Sequence, residues 1–202
     1  MRRLYSITLI IGMTLLLGVF SAPVNGRMRL PSDTPDSKIM HMHPKDIDTS
    51  LLPLDSIEDL HTTGSPQKVD INTWQLELSG QMVKNPRSLS YQDLLQMEMV
   101  RKRVILICPG FFVDYAEWEG VPLSTILEIA GVKDNYEKIT FRGLDGYSSS
   151  FSRDEAEHNL LFLALKVNGK AIREEHGFPV RLVAEDILGG RWVKWIKSIE
   201  VK

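Results

Sequence analysis

The sequence predicts an α+β domain with a mixed, mainly antiparallel sheet and short helices. Three observations predict it. Short apolar or alternating runs recur from residue 74 onward, as strands require. Turn dipeptides separate them: Asn85-Pro86, Pro109-Gly110, Asp145-Gly146 and Asn168-Gly169. The stretches with helical spacing between them are short.

Each element follows from a local signal. Residues 74–78 alternate apolar and polar, a half-buried strand that Gly80 ends. Ser90 caps a short amphipathic helix over 91–97, with Asp93 near its start. Residues 103–108 (RVILIC) are almost wholly apolar, which predicts a central buried strand. Pro109-Gly110 stops that strand, so Cys108 stands at its carboxyl end facing a loop, where binding sites collect. Glu119-Gly120-Val121-Pro122-Leu123 leads into a helix over 124–130, closed by Gly131. Residues 139–142 form a strand that turns at Asp145-Gly146 and returns over 147–151. Ser152 caps an acidic helix carrying Asp154, Glu155 and Glu157. Residues 160–167 are an apolar strand, and Asn168-Gly169 is a hairpin signal. Strands over 178–183 and 192–201 complete the domain.

Of the 202 residues 43% are hydrophobic and 25% charged, so one packed domain is expected. The net charge of -2 provides no basic footprint for nucleic acid. Met1-Arg2-Arg3, the apolar run from Leu4 to Phe20 and Ser21-Ala22 have the layout of a secretory signal peptide, cleaved near Ala22 or Gly26. Left uncleaved, the same run is a membrane anchor and the chain's one expected membrane contact. Arg2-Arg3-Leu4-Tyr5 also resembles a twin-arginine signal. Export by the Sec or twin-arginine route to the periplasm, or another extracytoplasmic compartment, is therefore expected. Residues 27–68 are rich in Pro, Ser, Asp and Thr and read as an arm, partly disordered or draped over the domain. His41-Met42-His43 reads as part of that solvated arm rather than as a metal site. The regular domain is expected over 69–202, and within it Arg101-Lys102-Arg103 reads as a solvated loop just ahead of the cysteine strand.

Cys108 is the only cysteine, and in an exported chain it has no intramolecular disulfide partner. Three uses remain: a buried inert thiol, a reactive thiol, or a metal ligand. A thiol-based redox protein would lack a resolving cysteine.

Four ordered blocks surround this cysteine. They are Trp74-Gln75-Leu76-Glu77-Leu78-Ser79-Gly80; Cys108-Pro109-Gly110-Phe111-Phe112 with Trp118-Glu119-Gly120-Val121-Pro122-Leu123; His176 to Val183; and Gly189 to Ile196. Together they resemble the sulfite-oxidase-type molybdopterin-binding domain, from about Asp70 to Lys202. The resemblance implies that family's fold, a molybdopterin cofactor, and Cys108 as the catalytic thiolate that ligates molybdenum. It implies cofactor contacts from His176, Arg181, Gly189, Gly190, Arg191 and Lys194. Guanidinium forks, an imidazole and close-approaching glycine backbone suit an anionic, polar-edged pterin. Asp145-Gly146-Tyr147 falls near the family's active-site mouth, and an N-terminal segment crossing the cofactor would bring His61 and Thr63 to the pocket.

The Pro109–Phe112 loop is apolar where many members carry an asparagine. Sulfite oxidases proper also carry an immunoglobulin-like domain after this one, and with a single cysteine no c-type haem signature is present. The reading therefore expects an oxidoreductase that transfers an oxygen atom on a small or peptide-bound substrate and is served by a separate electron-transfer protein. Its alternative is a module that keeps the fold and does no catalysis.

Overall fold

The computed structural model describes residues 26–158 and 160–202; the apolar run 4–20 and the cleavage zone at Ala22 lie outside the described residues. Strands β1 (Met28–Arg29) and β2 (Ile47–Asp48) flank helix α1 (Asp36–Ile39). Strands β3 (Gln75–Ser79) and β4 (Arg87–Ser90) lead into α2 (Tyr91–Leu95). Strands β5 (Val100–Cys108) and β6 (Phe112–Pro122) precede α3 (Leu123–Ile129), and β7 (Lys138–Gly143) and β8 (Ser148–Ser152) precede α4 (Arg153–His158). Strands β9 (Leu161–Val167), β10 (Lys170–Ala171), β11 (Arg181–Ala184) and β12 (Ile196–Val201) follow.

Among the described residues β1 and β2 pair with each other, and the other ten strands form two five-stranded sheets. One runs β10-β9-β6-β5, with β11 also on β9; the other runs β4-β3-β12-β7-β8. Among the described residues only β3–β12 and β1–β2 pair parallel. The mixed, mainly antiparallel α+β expectation is borne out. Short-range signals act as predicted. The Ser90 side chain accepts from Asp93 N while the Asp93 carboxylate accepts from Ser90 N, a reciprocal cap on α2. Asn168 and Gly169 both have positive φ (47° and 75°), as a two-residue antiparallel hairpin requires.

Three expectations are corrected. The strand over 103–108 extends from Val100 to Cys108 and lies at a sheet edge, not its centre. It is apolar on both faces because two different layers cover it. Val104 and Leu106 enter the main core. Ile105 and Ile107 join Val113 and Tyr115 under Leu30, Ile39 and Ile47 of the arm. Burying such side chains contributes roughly 1.5–3 kcal/mol each. The basic triplet Arg101-Lys102-Arg103 is strand, not loop: it lies opposite Glu119, Trp118 and Glu117 of β6, and Arg101 donates to the Glu119 carboxylate at 2.6 Å. The strands expected from 178 and from 192 begin at Arg181 and Ile196. Phe178 N donates to Arg173 O and Trp195 N to Gly177 O, so both approaches are tied into loops instead of a ladder.

The arm is held to β6 where β9 no longer covers it. Asp55 N donates to Tyr115 O at 2.8 Å, and the Asp55 carboxylate accepts from Tyr115 N at 2.6 Å. The Asn168 side chain donates to Asp55 O and accepts from Glu117 N, both at 2.9 Å. This brings the following residues, 61–64, over the tip of the β5–β6 hairpin. Among the described residues no helix is long and apolar enough to cross a membrane.

Candidate active site

The hairpin tip is tight: Phe111 N donates to Cys108 O, and Cys108 and Phe112 stand opposite each other. The ladder pairs Leu106 with Asp114, so side-chain alternation puts Leu106, Cys108, Phe112 and Asp114 on one face. That face forms one wall of a cavity of about 320 Å³. Arg181 lines it from the start of β11, Trp192 and Lys194 from the loop feeding β12, Gly189 and Gly190 from a short turn of helix, and His61, Thr63 and Gly64 from the arm. Asp145 and Tyr147 stand at the β7–β8 turn.

Two cations are buried in this wall. The Arg181 guanidinium lies between two indoles, 4.7 Å from the Trp118 ring centroid and 5.4 Å from that of Trp192. One of its nitrogens donates to His176 O at 3.2 Å, and Nε is buried with no hydrogen-bond partner. Burial pulls its pKa down to about 10, against the attraction of Asp114. Lys194 Nζ donates to Thr63 O and Glu175 O, each at 2.9 Å. Burial, and then repulsion from Arg181, pull its pKa down to about 8. The thiol of Cys108 is pushed up by burial and by Asp114.

The backbone comes close at Gly189, where a Cβ would stand 2.6 Å from Leu106 Cδ2 and 3.2 Å from Ile107 O. Gly190 has open space around its Cα, and its carbonyl accepts a hydrogen bond from the Tyr147 hydroxyl.

The predicted residues divide into two groups. Cys108, Arg181, Gly189, Gly190 and Lys194 come together around the cavity, joined by His61, Thr63, Asp145 and Tyr147. His176 is buried beside it but does not line it; its carbonyl holds Arg181, and burial lowers the pKa of its ring. Arg191 turns away: it pairs with Glu155, donates to Ser150 O and lies 4.2 Å from the Phe151 ring centroid. The short Arg191 contact holds the Glu155 carboxyl down to about 2. The sequence does not single out Asp114 or the indoles of Trp192 and Trp195 for this wall. An acidic residue at a fully buried strand position is the signal for Asp114.

The family profile described as oxidoreductase molybdopterin binding domain matches residues 62–202. The chain belongs to this family of molybdopterin-binding oxidoreductase domains, and molybdopterin is its cofactor. It is 29% identical over 171 aligned positions to an NADH nitrate reductase of Brassica napus, covering 68% of this chain but 19% of that protein. It is 28% identical over 142 positions to the uncharacterized oxidoreductase YuiH of Bacillus subtilis, covering 70% of this chain and 71% of that one. Its structure matches the sulfane dehydrogenase SoxCD of Paracoccus pantotrophus with a TM-score of 0.63 and 26% identity, over 67% of this chain and 40% of that chain. The chain thus spans about a fifth of the nitrate reductase it matches.

The wall suits this cofactor on its own chemistry. It offers a sulfur, two desolvated cations and a buried guanidinium N–H with no protein acceptor. An anionic ligand with polar edges supplies what they lack.

Proposed function

We propose that this chain is an exported molybdopterin-dependent oxidoreductase that transfers an oxygen atom on a small or peptide-bound substrate. Cys108 supplies the thiolate ligand to molybdenum. Arg181 and Lys194 hold the anionic cofactor, and the close backbone at Gly189 and Gly190 abuts it. Bound there, the cofactor supplies two-electron redox chemistry at the metal. The chain's own residues bind and orient it, and the indoles around Arg181 exclude water from that contact.

One observation carries the reading: Cys108 shares a cavity with two cations whose pKa values burial lowers to about 10 and about 8. Burying charge in this way is costly unless an anion arrives. We infer that a separate electron-transfer protein serves the site; residues 1–202 hold one cysteine, too few to build an iron–sulfur centre or a c-type haem themselves. The export signal is the Arg2-Arg3 pair with the apolar run behind it.

The test is turnover. Molybdenum-loaded chain, reduced through a viologen dye, reduces dimethyl sulfoxide or trimethylamine N-oxide. Failure to turn over either would favour a module that holds the cofactor without catalysis. Cell fractionation tests export: the Arg2→Lys, Arg3→Lys double variant is retained in the cytoplasm if the twin-arginine route is used.

A further inference from the structure

Asp114 is a carboxylate almost fully buried in the cavity wall, 5% exposed. Its Oδ1 accepts from His61 N at 3.0 Å and lies 2.8 Å from His61 Nδ1. Both contacts come from one residue, in the part of the arm that crosses the hairpin tip. The His61 ring also stacks on Phe112, with centroids 4.7 Å apart and planes 12° from parallel. Phe112 is the ladder partner of Cys108. The imidazole is therefore fixed in three ways: by its own backbone, by its Nδ1 and by its face. Its side chain is 51% exposed while it lines the same cavity as Cys108. With Nδ1 committed to Asp114, Nε2 is the nitrogen left to face substrate or water.

We propose that His61 and Asp114 form a proton-delivering pair at the mouth of the cavity. His61 hands a proton to the substrate oxygen, and Asp114 positions it. This rests on the oxygen-atom-transfer reading above. In the reducing direction each turnover breaks one S–O or N–O bond and takes two electrons from the external carrier. It also takes two protons, forms two O–H bonds and releases water. Proton delivery is thus part of the stoichiometry. A general acid at hydrogen-bond reach is worth about 10²–10⁴-fold in rate. His61 meets the structural needs of such an acid: one nitrogen held by a buried carboxylate, and an edge open to solvent from which to reload. Groups facing it across the cavity are Cys108, Arg181, Lys194, Asp145 and Tyr147, with Asp114 behind it. Arg181 and Lys194 are too firmly engaged with Trp118, Trp192, Thr63 and Glu175 to swing out and serve instead.

The test uses molybdenum-loaded wild type, His61→Gln, His61→Gly and Asp114→Asn with reduced viologen and dimethyl sulfoxide. The expected result is a kcat loss of about tenfold or more in His61→Gln at unchanged molybdenum content. Added imidazole partly restores His61→Gly, which a purely structural histidine would not allow. NMR of the loaded chains provides a readout independent of turnover: Asp114→Asn moves the His61 Nδ1–H resonance upfield, because the charged acceptor of that hydrogen bond is gone. His61→Gln turning over within about twofold of an active wild type would overturn the pair and leave the oxidoreductase reading standing. An unmoved His61 Nδ1–H resonance in Asp114→Asn would also overturn it. A loaded wild type that reduces neither S-oxide nor N-oxide overturns the oxidoreductase reading, and the pair with it.

Discussion

Arg181 lies with its guanidinium 4.7 Å from the ring centroid of Trp118, which β6 places 63 positions earlier in the chain. Its charge faces the cavity wall with Nε unpartnered. The arrangement keeps a cation where water is scarce, and its desolvation is only partly offset by the indoles and the His176 carbonyl until an anion binds.

Replacing Arg181 by Ala should therefore cost cofactor more than fold. Chemical denaturation of the cofactor-free chain should change by no more than about 1–2 kcal/mol, the scale of the lost stacking and hydrogen bond. Molybdenum retained after gel filtration should fall about tenfold or more. Arg181→Lys should retain only part of it, since an ammonium cannot reproduce the planar fork between two indoles.

Lys194 gives the cofactor-free fold a pH dependence of definite sign. Its pKa is lowered in the folded chain to about 8, below its ordinary value. The unfolded chain therefore binds more protons than the folded one between those two values, and stability rises with pH there. The penalty is fully present below about 8 and is relieved as pH rises above it. Urea midpoints of wild type and Lys194→Met, compared from pH 7 to pH 10, test this: the wild type should gain on the variant as pH rises. Cofactor binding should run the other way, weakening as pH passes about 8, because the neutral amine no longer attracts an anion.

Adjacent glycines should respond differently to the same substitution. A Cβ at Gly189 would meet Leu106 at 2.6 Å and 2.9 Å, two residues from Cys108, whereas nothing lies within 4 Å of one at Gly190. Gly189→Ala should destabilise by about 1–3 kcal/mol, as overpacking does. Gly190→Ala should stay within about 0.5 kcal/mol. Denaturation midpoints with unchanged slopes would check both.

The arm should matter to stability in spite of its polar composition. Ile47 is 1% exposed against Ile105 and Ile107 on the outer face of β5. Ile47→Ala should cost about 2–5 kcal/mol, measured by denaturation.

How much of this was legible depended on how local each signal was. Caps and turns such as Ser90–Asp93 and Asn168-Gly169 act within a few residues, and they stand where expected. The second strand of the cysteine hairpin was not read as a strand, because Asp114, Glu117, Glu119 and Gly120 break its alternation. Those acids have partners that only the fold supplies: His61 for Asp114, and Arg101 and Lys166 for Glu119. Gly120 is needed because a Cβ there would stand 2.0 Å from Leu163 O on β9. The arm reads as polar because its buried apolar residues, such as Leu30, Ile39, Ile47, Ile57 and Leu60, are spaced singly along it. Within the site, Cys108, Arg181 and Lys194 were reached through the family's blocks, and they do share a cavity. His176 and Arg191 sit in the same blocks, but His176 meets the site through its backbone carbonyl, which accepts from Arg181, and the Arg191 side chain turns to Glu155. Side-chain direction at a block's edge depends on tertiary partners that a motif does not carry.

The central claim is that Cys108 holds molybdenum in this cavity. Elemental analysis of wild type and Cys108→Ala, purified side by side from a host that makes the cofactor, tests it most directly. The account predicts one molybdenum per wild-type chain and its loss in Cys108→Ala, with both chains folded. Wild type free of molybdenum, or a Cys108→Ala chain that keeps the wild-type content, would contradict it.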